Sequence, residues 1–218
     1  MKIFNSDTVF SRTMAGLTDL ILLGLLWLLI SVTIVGLGPA TLALYYAVAK
    51  SIRRERGNTF KEFFRALKDG WKNALLVEIF LILLALGIMM LDGYALLGAL
   101  VNGTIEDPVR FTFGVLEVFF FLTIALYAFP LASRFEMRSW NIIIVSVSLA
   151  FRNFGRTLLM LVILLFFVAL LAGLPEFIFL VPGICAYLLS FPMEKVLGSY
   201  LRKTGFDVSG DEDPWYLE

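Results

Sequence analysis

The chain contains no histidine and a single cysteine, Cys185, among its 218 residues. Those two shortages exclude a His-based catalytic triad, an intrachain disulfide and a Cys/His zinc site. Charge is scarce too. Only 17% of residues are Asp, Glu, Lys or Arg, against about 25% in soluble domains, while 60% are hydrophobic. Equal numbers of basic and acidic residues, 18 each, give a net charge of zero and no basis for binding nucleic acid. No Walker-type phosphate loop and no nucleophile–base pair is visible, so the sequence reads as neither an enzyme nor a cofactor carrier.

What the chain has is long apolar sequence, and lipid is the solvent that suits it. Four runs of membrane-helix length stand out: Ala74 to Leu91, Phe111 to Ala132, Thr157 to Gly173 and Phe177 to Met193. A fifth stretch, from Leu20 to Ala49, carries no charge over about 30 residues, or about 45 Å of helix, which overshoots a hydrocarbon core of about 30 Å. Two spans joined at Gly36-Leu37-Gly38-Pro39 resolve the excess, with glycines for positive φ in the reversal and Pro39 in the first turn of the second helix. A single span kinked at Pro39 is the alternative. The expected fold is therefore all-α, a polytopic membrane bundle of about six transmembrane helices, or five. Residues 1–16 form an N-terminal segment, 17–203 the single transmembrane domain, and 204–218 an acidic tail.

The connecting segments separate by charge. Residues 50–72 and 133–156 are rich in Lys and Arg, whereas 92–110 carry Asp92, Glu106 and Asp107 with Arg110 as the sole basic residue. By the positive-inside rule the basic connectors are cytoplasmic, as are the C-terminus and, with two spans before Lys50, the N-terminus. Two segments read as short in-plane amphipathic helices. "TFKEFFRALKDGWK" places Phe60, Phe63, Phe64, Leu67 and Trp71 on one face, and Trp140 to Phe151 places Trp140, Ile143, Ile144, Val147 and Phe151 on another. Aligning these segments pairs Lys68 with Arg152 and Lys72 with Arg156, and hints at an internal duplication of the kind transporters use.

Ionisable groups inside spans are the first candidates for function. Glu117 lies about two turns into its span, and its bland roles are to face an outer vestibule or the hydroxyls of Thr112 or Thr123. Glu78 lies near the cytoplasmic boundary and is expected to pair with Lys72 or a neighbouring basic residue. Arg134 and Glu136, just past Pro130, are expected to organise the inner helix ends through a charge pair. Asp19, Asp92, Glu176 and Glu194 fall at span ends, where water is near and little needs explaining.

"GPATLALYYAVAKSIRRERGNTFKEFFRALK", "YAFPLASRFEM" and "AFRNFGRTLLMLVILL" resemble the YesL-like family of uncharacterised bacterial integral membrane proteins. The likeness runs from about Phe4 to Leu201. It implies a small multi-pass protein of the bacterial cell membrane whose genes often neighbour those for carbohydrate ABC transporters and polysaccharide utilisation. It supplies no catalytic residue to carry over. The expected role is accessory to carbohydrate uptake or polysaccharide utilisation, with a small sugar or ion transporter as the alternative. The expected partners are membrane lipids, an ABC-transporter component and a second copy of the chain.

Overall fold

The computed structural model describes residues 6–135 and 137–204, with side chains from 14 to 202 apart from 136. Glu136, the first five residues of the N-terminal segment and the acidic tail from 205 onward lie outside the described residues. Among those described, the regular structure is entirely helical. Eight α-helices occur in order: α1 (Ser6–Ser31), α2 (Leu37–Ala47), α3 (Thr59–Leu91), α4 (Gly93–Asn102), α5 (Pro108–Ala132), α6 (Ser139–Arg152), α7 (Phe154–Gly173) and α8 (Val181–Thr204). Four of them, α1, α3, α5 and α7, are long and apolar enough to cross a membrane, and α4 and α6 are shorter apolar helices. The chain is a membrane-type helical bundle.

The first two helices form an antiparallel hairpin. Trp27 Nε1 donates to Thr41 Oγ1 at 3.1 Å near the turn, and Gly16 stands beside Ile52 at the open end. The expected reason for the glycines is wrong, however. Gly36 sits at φ −94°, and among the described residues only Glu55, Gly57 and Gly103 have positive φ. Close approach is the reason instead. A methyl at Gly38 would lie 2.9 Å from Glu78 Cβ, 3.0 Å from the Ala74 carbonyl and 3.0 Å from Phe129 Cε1. Pro39 does fall in the first turn of α2, where its missing N–H leaves no hydrogen bond unmade.

Past Ala47, α2 does not stop. It continues through one wide, π-type turn, Val48–Ile52, closed by Arg53 N–H to the Val48 carbonyl at 3.0 Å. Such a turn inserts an extra residue and rotates the succeeding side chains about the helix axis, and turns of this type recur at functional sites.

The expected in-plane helix over 60–71 is not a separate element. It is the first half of α3, a helix of 33 residues and so about 50 Å long. Nothing in the segment breaks it, since there is no proline and Asn58 caps its start by accepting from the amides of Phe60 and Lys61. Its buried face also differs from the one the pattern suggests. Glu62, Phe63, Ala66 and Ala74 turn inward, while Phe64 and Trp71 stay exposed. α2 lies so close to this face that a methyl at Gly70 would meet Leu42 at 2.8 Å, the logic of tight helix pairs in membranes. Along α3, α2 covers the first half and α5 the second. Gly38, Glu78 and Phe129 meet at the junction.

After α5 the chain doubles back. α6 packs along α5 with Phe151 against Phe120, and Trp140 at its other end meets Phe80 of α3 edge to face. It buries Ile142, Ile143, Ser146, Leu149 and Ala150, whereas Trp140, Ile144 and Phe151, which the pattern puts on the packed side, are more than half exposed. A break at Asn153 separates α6 from α7, where the corresponding part of α3 runs on unbroken. The two proposed repeat units therefore differ in shape. The last apolar run also starts later than expected. Residues before Val181 form a single tight turn, Pro175–Phe177, and a bend, so the apolar part of α8 is Val181 to Met193. α8 crosses α1 with glycines on both sides: a methyl at Gly24 would collide with the Phe179 carbonyl, and one at Gly183 with that of Leu20.

Candidate functional site

The principal polar site is built where α2, its wide turn, the end of α5 and α8 converge. Tyr45 comes from the buried face of α2, and its hydroxyl donates to Glu194 Oε1 at 2.7 Å. Arg134, one residue beyond the end of α5 and its Ser133 cap, donates through Nη2 to the same oxygen. Arg54, carried past the wide turn, places Nη2 3.6 Å from Glu194 Oε2. The Arg134 and Glu194 side chains are 3% and 4% exposed, so this ion pair is almost wholly removed from solvent.

The same turn distributes two further cations. Lys50 donates to Glu62 Oε2 of α3 at 2.8 Å, and Arg53 donates to the Ser190 carbonyl of α8 at 2.9 Å while its guanidinium sits over the Phe191 ring. Pro192, two residues on, interrupts the helical ladder there, and Arg53 supplies a donor beside the interruption. Lys50, Arg53 and Arg54 thus address α3 and α8 at once. A buried charge without a partner costs several kcal/mol, and guanidinium forks matched to a carboxylate are the pairing that offsets it best.

Arg134 is legible in the sequence as a charge that organises helix ends, and among the described residues it pairs with Glu194. Glu194 itself is no mere span-end residue with water close by, and the structure corrects that expectation. Its partners lie 60, 140 and 149 residues away in sequence, a relation no local pattern carries. Asp19 is likewise engaged, accepting from Thr59 Oγ1 at 2.6 Å and tying α1 to the start of α3.

Glu78 does not pair with Lys72. It is 4% exposed, and its carboxyl lies near the amides of Leu37 and Gly38 at the start of α2, without completing a well-formed hydrogen bond to either. That is the positive end of the helix, the place where an acid is best tolerated. Glu117 is half-buried, and its Oε2 has no partner; Thr112 Oγ1 donates to the Pro108 carbonyl, so neither it nor Thr123 serves Glu117. The structure keeps Glu78, Glu117 and Arg134 apart as separate features.

Two spaces flank the ion cluster. On one side a polar cleft of about 200 Å³ is bordered by Tyr46, Arg65, Asp69, Asn73 and Arg134. On the other is a cavity of about 280 Å³ whose wall is apolar almost throughout, with Tyr45 and Met193 at its boundary and the free thiol of Cys185 in its lining. The cluster's arginines only donate, Glu194 accepts from them, and the arrangement is suited to clamping helices together.

Residues 20–93, from α1 through the end of α3, match the family described as "Protein of unknown function, DUF624". The curated "Uncharacterized protein YesL" of Bacillus subtilis (strain 168) is 28% identical over 147 residues, covering 63% of this chain and 65% of that one. Over those 147 residues the chain is similar to YesL. The match spans about two thirds of the curated relative's length. No solved structure matches. The matched segment, residues 20–93, carries Tyr45, Lys50, Arg54, Glu62 and Glu78, whereas Arg134 and Glu194 lie outside it.

Proposed function

We propose that this YesL-like chain is a multi-pass accessory protein of the bacterial cell membrane that supports carbohydrate uptake or polysaccharide utilisation by binding another membrane component, performing no catalysis itself. In this reading α2 and α8 cross the membrane alongside α1, α3, α5 and α7, giving six crossings with both termini and the basic connectors in the cytoplasm. The carbohydrate context comes from the family resemblance alone. What favours an accessory role over carriage is one observation: the cavity within the bundle is apolar, and the Arg54–Arg134–Glu194 cluster stands between it and the polar cleft. A sugar passing through would meet almost no hydrogen-bonding group. Purification from native membranes in mild detergent tests the role. Recovery with a sugar ABC-transporter subunit, and reduced sugar uptake on deletion, are expected; repeated recovery alone with unchanged uptake contradicts it.

A second reading, a small transporter in its own right, draws on Glu117, a half-buried acid with an unpartnered oxygen inside the α5 span. Sugar or ion flux into liposomes that falls in Glu117→Gln supports it. Absence of flux with the wild-type protein removes it.

A further inference from the structure

The cavity of about 280 Å³ has a use that neither reading requires. Its wall is contributed by α1, α2, α5, α7 and α8, including Trp27 of α1, Ala125 of α5 and Phe167 of α7. Each of those three helices is long and apolar enough to cross a membrane, so the space lies at the depth of the hydrocarbon. Val168, 55% exposed on the face of α7, stands at its mouth. The space therefore opens toward lipid tails.

Its chemistry is equally restrictive. The two hydroxyls at its border are already committed, Thr41 donating to the Leu37 carbonyl at 2.7 Å and Tyr45 to Glu194 at 2.7 Å. Water entering it would find almost no partner. Apolar cavities of about 150 Å³ stay dry and take up benzene, and this one is larger. Interiors are otherwise close-packed, so a space of this size offers room for an occupant of matching shape.

We infer that this cavity is a binding site for the hydrocarbon chain of a membrane lipid, which enters past α7 and lies between α5, α7 and α8 with its end toward Tyr45. The bound chain completes the packing of α7 and α8 against the rest of the bundle. The inference depends on membrane residence and not on the accessory role, so either can fail without the other.

The test uses the full chain purified in mild detergent from membranes, with tightly held lipid counted by mass spectrometry. A second arm reconstitutes it in phosphatidylglycerol/phosphatidylethanolamine vesicles containing a phospholipid whose acyl chain bears a photoreactive diazirine. Two variants fill the space from different walls, Ala125→Phe and Ala186→Phe, and Leu100→Phe on exposed α4 is the control. Wild type and control are expected to retain lipid after washing and to give adducts on the cavity wall, at Phe167 or Cys185. Each filling variant is expected to lose about tenfold in both signals, the change that corresponds to about 1.4 kcal/mol of binding. Only variants that elute as one symmetrical species are scored, and with two independent fillings a failure of one to fold leaves the other. Equal lipid retention in wild type and folded filling variants overturns the inference, as does a wild type that holds no lipid or labels only on its outward faces.

Discussion

Glu194 carries more of the structure than its position at the end of an apolar run suggests. It receives Tyr45, Arg54 and Arg134 in a pocket where the Arg134 side chain is 3% exposed, and removing one member strands the others away from water. Arg134→Ala or Glu194→Ala is expected to cost about 3–5 kcal/mol, whereas replacing Arg134 and Glu194 together by Met and Leu recovers part of that loss, Tyr45 and Arg54 still lacking Glu194. Thermal unfolding in detergent checks both, and a double variant no better than the singles contradicts the assignment. At the opposite side of the bundle Asp107 caps α5, accepting from the amides of Val109 and Arg110. The Arg110 amide, first among its partners, holds the Asp107 carboxyl below the usual carboxylate range. Because that value is depressed on folding, its contribution is complete above the unfolded value of about 3.9 and disappears as pH falls through the folded one. The stability difference between wild type and Asp107→Ala should therefore be constant near neutrality and shrink in acid; a difference that grows on acidification refutes the cap. The sequence reveals Arg134 because a charge just past Pro130 is conspicuous. It conceals Glu194, Tyr45 and Arg54, whose meeting is created by the path of the chain and by one wide turn that no residue pattern announces.

Helix boundaries depend on who packs against whom more than on periodicity. The α1–α2 hairpin is legible because a stretch this long without charge overshoots the hydrocarbon thickness, yet its glycines serve contact and not a left-handed turn. The fusion of the amphipathic segment into α3 is not legible: periodicity shows that residues lie on a helix but not where its axis continues. For the same reason the aromatic faces read from 60–71 and 140–151 prove to be partly the outward ones. Phe64, Trp71, Trp140 and Phe151 stay exposed, while Ala66, Ala74, Ser146 and Ala150 turn inward beside Phe63, Ile142, Ile143 and Leu149. The α1–α8 crossing offers a direct check. Gly24→Ala places a methyl into the Phe179 carbonyl and is expected to destabilise by about 1–3 kcal/mol. Gly87→Ala, which meets nothing within 4 Å, is expected to be silent in the same thermal assay. Equal effects of the two would show that the crossing is looser than described.

At the scale of the whole molecule, a bundle with so much apolar surface exposed on α1, α3 and α7 belongs in lipid. The class of fold is readable from composition and run length because lipid imposes both. The way the helices share α3, with α2 on its first half and α5 on its second, is not, since hydropathy counts spans and is blind to their register. The measurement that tests the account most directly is cysteine accessibility in intact cells, with Cys185 replaced by serine and single cysteines placed at Ser6, Asn58, Gly103 and Ser139. A membrane-impermeant maleimide is expected to modify the cysteine at Gly103 at once and the other three only after the membrane is permeabilised. Modification at Asn58 or Ser139 in intact cells, or protection at Gly103, would contradict it.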